Sequence, residues 1–184
     1  MLTILAGHCS SDRMLGSTRL WVEALRRCSQ HVVLVFDNKP DLDLPPEWRQ
    51  AADLSLVLEP HGEYDFGSYK RGLALASQTG LLDQADHVLF CNDSVVGPLG
   101  PLEPLLEVMT ASRQEAWGLI YSLQGTPHLQ SWFVVLGKEV VQHPLVQQFF
   151  AAVRPQTSRH MVIETYEFGL SRALLAAGAP LRAW

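Results

Sequence analysis

The chain predicts an α/β fold: a mostly parallel central sheet with helices on both faces, three layers in all. Three observations carry this. Strand-like and helix-like segments alternate from the first residues in the order βαββαβ. The strand-like runs are short and apolar almost throughout, as strands covered on both faces must be. The loops between them are brief, which suits helices returning across a parallel sheet.

Taken in order, Leu2–Ala6 is an apolar strand that runs into Gly7-His8-Cys9-Ser10-Ser11-Asp12. Residues 17–28 set Leu20, Val22, Ala24 and Leu25 among Arg and Glu, a helix with Ser17 as its expected cap. His31–Phe36 is a β-branched run that stops at Asp37-Asn38-Lys39-Pro40, a strand meeting a turn. A loop containing Pro40, Pro45 and Pro46 leads to a third strand over 52–58. Phe66, Tyr69, Leu73 and Ala76, three or four apart, predict a helix over 66–77. Residues 86–91 form a fourth strand, and Gly97-Pro98-Leu99-Gly100-Pro101 breaks the chain before a helix over 102–109. Strands are expected over 117–122 and 129–136, then helices near 145–153 and 165–177. There is no internal repeat, and the proline-rich stretch is too short for a linker, so residues 1–184 read as one domain.

With 184 residues, 47% of them hydrophobic, the chain can bury a substantial core. A net charge of −5 argues against a nucleic-acid partner, which would require a basic stripe. Cys9, Cys28 and Cys91 lack metal-ligand spacing and read as buried thiols in a reducing compartment. The N-terminus has no basic segment ahead of a long apolar run, and no run approaches the roughly 18 residues of a membrane span. A cytoplasmic protein is expected.

The segment most suited to chemistry is Phe90-Cys91-Asn92-Asp93-Ser94, a buried strand ending in an amide, a carboxylate and a hydroxyl. Open α/β sheets bind ligands at such strand ends. Asp93 could ligate a hard divalent cation that in turn holds a diphosphate; the alternative is an ordinary Asn-Asp-Ser turn. In His61–Arg71, Asp65 would cap the following helix. Lys70 and Arg71 would then sit near its positive end, a placement that makes sense if an anion such as phosphate arrives there. Gly67 would let a ligand approach the backbone; otherwise it is a packing glycine beside solvated charges. If 128–133 is a strand, His128, Gln130 and Trp132 share one face. Such a face suits a sugar, or else belongs to an amphipathic edge strand. Glu167 would fall in the first turn of a helix capped by Thr165, ionised and able to accept a proton, although helix-dipole stabilisation alone also explains it. Asp37 could bind a base or ribose, or merely close its turn. His8, Ser10 and Ser11 would line the same crevice.

Four motifs together resemble one family. They are Asp65-Phe66-Gly67-Ser68-Tyr69-Lys70; Asn92-Asp93-Ser94 with Gly97-Pro98; His128-Leu129-Gln130-Ser131-Trp132-Phe133; and Tyr166-Glu167-Phe168-Gly169-Leu170-Ser171. In order and spacing they are similar to the rhamnan synthesis F family, assigned to polysaccharide glycosyl transfer, over about residues 61–178. The resemblance implies a GT-A-like nucleotide-sugar-binding domain. It puts Asn92-Asp93-Ser94 where GT-A enzymes often carry an Asp-x-Asp metal motif, with one carboxylate replaced by an amide and the third residue a serine. A Mn²⁺ or Mg²⁺ cofactor would therefore rest mainly on Asp93. It also puts Glu167 where related enzymes place an acidic base. Family members are commonly much longer, so acceptor-binding parts would be reduced here or supplied by a partner.

The resulting expectation is a glycosyltransferase, hexosyltransferase in type, moving a sugar such as rhamnose from a nucleoside diphosphate donor to a glycan acceptor. His8, Ser10, Asp37, Asp65, Lys70, Arg71, Asn92 and Ser94 would hold the donor. His128, Gln130 and Trp132 would hold sugar or acceptor, and Glu167 and Asp93 would be catalytic. The competing readings are a non-catalytic nucleotide-sugar or glycan-binding assembly subunit, and a phosphate-ester hydrolase built on Asp93 with Asp12, Asp37 and Asp65. Glycan assembly would suggest loose attachment to the inner face of a membrane or to a protein partner, although no basic amphipathic helix supports it.

Overall fold

The computed structural model describes residues 1–9, 14–38, 41–111 and 115–184. The chain runs β1 (Leu2–Gly7), α1 (Gly16–Cys28), β2 (His31–Phe36), a 3₁₀ turn (Pro46–Gln50), β3 (Leu54–Leu58), α2 (Tyr64–Gln78), α3 (Leu81–Gln84), β4 (His87–Asn92) and α4 (Glu103–Met109). Short strands β5 (Ala116–Gly118), β6 (Tyr121–Ser122) and β7 (His128–Leu129) follow, then β8 (Phe133–Gly137), α5 (Lys138–Val141) and α6 (Pro144–Ala151). It closes with α7 (Arg159–Val162), a π turn (Ile163–Glu167), α8 (Phe168–Ala176) and β9 (Leu181–Ala183).

Seven strands form one sheet in the order β3-β2-β1-β4-β8-β5-β9. The first four are parallel, with Ile4 opposite both Val33 and Phe90. β8 runs antiparallel to β4 and β5, and β9 pairs parallel with β5. Both faces are buried, and the period-2 alternation of strands divides the apolar residues between them. Ile4, Val33, Val35, Phe90, Val134 and Leu136 face α2, α6 and α8, through Phe66, Tyr69, Phe150 and Leu170. Leu5, Val32, Leu34, Leu89, Cys91 and Val135 face α1, α4 and the 3₁₀ turn, through Trp21, Leu25, Met109 and Trp48. At Gly72 a Cβ would lie 2.3 Å from Ile4 Cγ2, so α2 packs onto β1 at a distance only glycine allows.

The strand order also locates a crevice. The chain winds outward from β1 to β2 and β3, then returns across α2 to β4 on the other side of β1. From the carboxyl ends of β1 and β4 the chain moves on to β2 on one side and to β5 on the other, and such a switch point opens the sheet edge to ligands.

Several expected elements are corrected. Helix α1 begins at Gly16, so Ser17 lies within its first turn and caps nothing. The third strand starts at Leu54, after a turn in which Leu54 N donates to Ala51 O (3.3 Å). The run 117–122 divides: β5 joins the main sheet while β6 pairs with β7 in a separate two-stranded ribbon. The run 129–136 is likewise interrupted at 130–132, where the chain crosses from ribbon to sheet. One continuous strand cannot serve both. Thr165 lies inside the π turn; the helical run starts behind Ser158, whose hydroxyl accepts from Met161 N.

Candidate functional site

The floor of the crevice is the end of β4. Asn92 is 4% exposed. Its amide donates to Asp65 Oδ2 (2.6 Å), and its carbonyl accepts from Ser94 Oγ (2.6 Å) and Ser94 N (3.2 Å). Asn92 thus ties the strand end to the start of α2 and fixes Asp65, while Ser94 is turned inward to it. Asp93 N donates to Ala6 O (3.2 Å), and Asp93 Oδ2 accepts from Thr18 Oγ1 (2.6 Å). Asp93 is therefore held between β1 and α1, with its carboxylate at the switch point.

Both carboxyls are electrostatically uncomfortable. Burial pushes Asp65 up to about 6; the Asn92 bond opposes this, and the charge of Asp93 adds to it. Burial raises Asp93 too, against the pull of the Thr18 hydroxyl. Two desolvated acids of like charge beside a crevice are an arrangement a cation would relieve. Among the described residues no three His, Cys, Asp or Glu side chains converge as a ready-made metal cage. A hard cation bound by one or two carboxylates needs no such cage, because phosphate oxygens and water supply its other ligands.

Next to this floor is a cavity of about 390 Å³ lined by Gly7, His8, Asp37, Gly62, Tyr64, Asp65, Ser68 and Gln156. Asp37 builds its wall. The carboxylate accepts from His61 N (2.7 Å) and Gly62 N (3.0 and 3.1 Å), closing a turn in which Gly62 (φ 64°) and Tyr64 (φ 55°) are both left-handed. An L-residue in that region costs roughly 1–2 kcal/mol, and here it leaves the Tyr64 ring 45% exposed against the cavity. His8 Nδ1 lies 3.0 Å from Asp37 O. A carbonyl only accepts, so Nδ1 carries the hydrogen. Asp37 is thus first an anchor of the 61–62 turn, a distant one, where the sequence suggested the turn over residues 37–40. Ser10, expected beside His8, lies outside the described residues, as do Ser11 and Asp12.

The helix start differs from expectation. Asp65 does not cap α2; the helix begins at Tyr64, and Asp65 sits in its first turn. At 100° per residue, Lys70 and Arg71 are turned about 140° and 240° away from Asp65. Lys70 Nζ donates to Val153 O (2.9 Å). Arg71 pairs with Glu59 (2.9 Å) and with the buried Glu63. These cations tie α2 to its surroundings instead of forming an open anion cradle. Gly67 is a packing glycine, since a Cβ there would lie 2.3 Å from Glu63 Cβ. The cation whose charge reaches Asp65 is Arg159, which sequence reasoning missed.

The opposite wall comes from the antiparallel half. Glu167 closes the π turn, and its Oε1 accepts from Ser131 N (2.7 Å) and Ser131 Oγ (3.2 Å). π turns inside helices often mark functional positions, and here the turn directs Glu167 to the 130–132 segment. Tyr69 Oη donates to Ser131 O (3.0 Å), and Trp132 O accepts from Asn92 N (3.1 Å). The 130–132 turn thus joins the Glu167 wall to the Asn92 floor. Ser131 is its hub; the motif containing it was legible, its role was not. The shared face expected for His128, Gln130 and Trp132 is absent because the strand ends after Leu129. His128 is 3% exposed, packs on Phe168 at 4.6 Å and points Nε2 at Glu167 Oε2 (3.9 Å). Gln130 N bonds Ile120 O (3.0 Å), and half-buried Trp132 packs edge-on against Phe133 at 6.0 Å. Of the carboxylates expected to support a hydrolase, Asp37 serves the 61–62 turn and Asp12 lies outside the described residues.

A mostly parallel sheet with helices on both faces and a crevice at the β1/β4 switch point is a GT-A-like fold. Two solved structures share it. A 4-diphosphocytidyl-2C-methyl-D-erythritol synthase superimposes with TM-score 0.60 at 14% identity, over 99% of this chain and 88% of that one. A cytidylyltransferase from Leptospira borgpetersenii superimposes with TM-score 0.53 at 12% identity, over 98% and 74%. At such identities the likeness is one of fold. The chain belongs to the rhamnan synthesis protein F family, whose pattern matches residues 49–181. It is also similar to the virulence protein VirA of Vibrio anguillarum, 32% identical over 148 residues that make up 79% of this chain and 46% of VirA. The chain therefore spans about half the length of this relative. Among the described residues no helix is long and apolar enough to cross a membrane.

Proposed function

We propose that the chain is a glycosyltransferase module that binds a nucleoside diphosphate sugar and transfers its sugar, rhamnose being one candidate, to a growing glycan. The observation that carries this is the pairing of two strained carboxyls, Asp65 and Asp93, on the floor of a switch-point crevice with Glu167 held on the facing wall. The nucleoside would occupy the cavity between His8, Gly62 and Tyr64, on the turn that Asp37 closes. Its diphosphate would lie over Asp65 and Asp93.

Asp93, with Asp65, would hold Mn²⁺ or Mg²⁺. The ion's contribution when bound is to neutralise the charge that accumulates on the departing diphosphate. Asn92 keeps Asp65 aimed at the crevice, and Thr18 does the same for Asp93. Arg159 would offer a second positive charge on the open side. Gln130 and Trp132 would shape the approach of the acceptor, whose hydroxyl proton would pass to Glu167 Oε2 in an inverting reaction. Ser131, by occupying Oε1, leaves Oε2 as the accepting atom.

The test is a melting-temperature series with UDP-, dTDP- and GDP-sugars, each with Mn²⁺ or EDTA, on the natural chain and on Asp93→Asn. A ligand of the native state at 100 times its Kd adds about 2.7 kcal/mol. One nucleotide class should raise the melting temperature, with the increment lost in EDTA and in Asp93→Asn. No shift with any donor would overturn the donor-site assignment. The amide of Asn92, standing where a second carboxylate would strengthen cation binding, favours one alternative, a non-catalytic donor-binding subunit. Donor binding without transfer would select it.

A further inference from the structure

The two oxygens of Glu167 have different surroundings. Oε1 is taken by Ser131; Oε2 faces His128 Nε2. His128 is fixed from several sides. Its Nδ1 lies 2.6 Å from Thr126 O, an acceptor only, so Nδ1 carries a hydrogen in every state. Its ring packs on Phe168, and the turn that delivers Thr126 is seated on the same Phe168 ring: a Cβ on left-handed Gly125 (φ 74°) would lie 2.8 Å from it. Nε2 is therefore the ring atom left to change protonation, and its direction is set.

A neutral Nε2 turns a lone pair toward a carboxylate, so two acceptors face each other with nothing to share. One proton on either atom makes the contact attractive and charge-assisted. From α2, Asp65 and Tyr69 both feel the charge of Glu167, and Asp93 at the end of β4 acts on both of them. Arg159 on α7 is the opposing cation. On the same helical run, His160 and Glu164 are exposed and paired with each other at 3.3 Å, and Arg172 is exposed.

We infer that His128 is a positioning residue for Glu167: the pair starts as a carboxylate facing a neutral imidazole, and the proton that Oε2 takes from the acceptor comes to lie between Oε2 and Nε2. This deepens the reading of Glu167 as proton acceptor and rests on it. When the acceptor oxygen forms its bond to the anomeric carbon, the old C–O pair leaves with the diphosphate and the hydroxyl proton arrives at Oε2. It then passes to Nε2, leaving a carboxylate beside an imidazolium. Closing 3.9 Å to hydrogen-bond range needs a movement of about 1 Å, or one bridging water.

The first experiment follows the imidazole nitrogens by ¹⁵N NMR from pH 5 to 9, in the natural chain and in Glu167→Gln. The glutamine carbonyl can still accept from Ser131, so the site stays assembled, and a melting curve checks this. Nδ1 should remain protonated throughout while Nε2 titrates. Its midpoint should fall by about one pH unit in Glu167→Gln, because the negative neighbour is gone. An unmoved midpoint overturns the dyad. The second experiment is His128→Asn, which keeps a donor for Thr126 O and deletes Nε2. Its acidic limb of kcat should move by half a pH unit or more with donor KM unchanged; an equal loss at every pH would mean a structural role only and overturn the proposal. A coupled titration in a chain that transfers no sugar would uphold the dyad and overturn the base reading alone.

Discussion

The two halves of the sheet are built on different terms. The parallel half, β3-β2-β1-β4, consists of strands of five or six residues, apolar along their length and covered by helices on both sides. The polar residues at its carboxyl ends reach the crevice because each strand simply stops there. In the antiparallel half and the separate β6-β7 ribbon, β5, β6, β7 and β9 have three residues or fewer, and the chain changes partners between them. Its functional groups are placed by hydrogen bonds over long sequence distances: Ser131 to Glu167, Leu129 N to Ser171 Oγ, and Tyr69 Oη to Ser131 O. One half delivers side chains by local periodicity, the other by tertiary contact. The proposed donor and acceptor chemistry divide along the same line.

The largest effect should come from the tertiary half. Glu167→Gln removes the proposed proton acceptor but can keep its bonds from Ser131, so transfer should fall by about 10²–10⁴-fold. Donor binding, measured as the melting shift, should be unchanged. If donor binding falls with it, the division between the two walls is wrong.

Next comes the parallel half, where the charge on Asp65 is a cost. Its carboxyl is raised from 3.8 to about 6 on folding, so the folded state holds the proton more tightly. The penalty is absent below pH 3.8, grows between 3.8 and 6, and is complete above. Asp65→Asn should therefore stabilise the chain by about 1–2 kcal/mol at pH 7–8, with the gain vanishing near pH 4. Donor binding should weaken at the same time. Denaturant melts at pH 4 and pH 8 measure the stability difference; equal effects at both would show that Asp65 is not strained.

The smallest effect concerns a local device in the tertiary half. Ser158→Ala removes the side-chain cap of the helical run that carries Glu167, a loss of about 1 kcal/mol. The crevice should still bind donor, since the cap lies on the element of the other wall.

The two halves were legible to different degrees for the same reason. Leu2–Ala6, His31–Phe36 and Phe90-Cys91-Asn92-Asp93 showed in the sequence both their strands and where they stop, because a buried parallel strand writes an unbroken apolar run. The runs 117–122 and 129–136 are equally apolar, yet each is cut in two. Nothing local marks the cut, which arises from pairing choices between distant segments. Lys70 and Arg71 were expected at the crevice from their place near a helix start. The helical rotation and the acceptors Glu59, Glu63 and Val153 O assign them elsewhere.

The sequence by itself determined the α/β class, the order of the first four strands along the chain, the polar stop at Asn92-Asp93-Ser94 and the motifs of the family. Periodicity and punctuation are properties of neighbours in the chain. Only the tertiary structure decided that Asp37 closes a turn, that Asn92 and Thr18 aim two repelling carboxyls into one crevice, and that a π turn and Ser131 hold Glu167 opposite. Each of those depends on where a buried polar group finds its partner, and the partners stand 24 to 75 residues away.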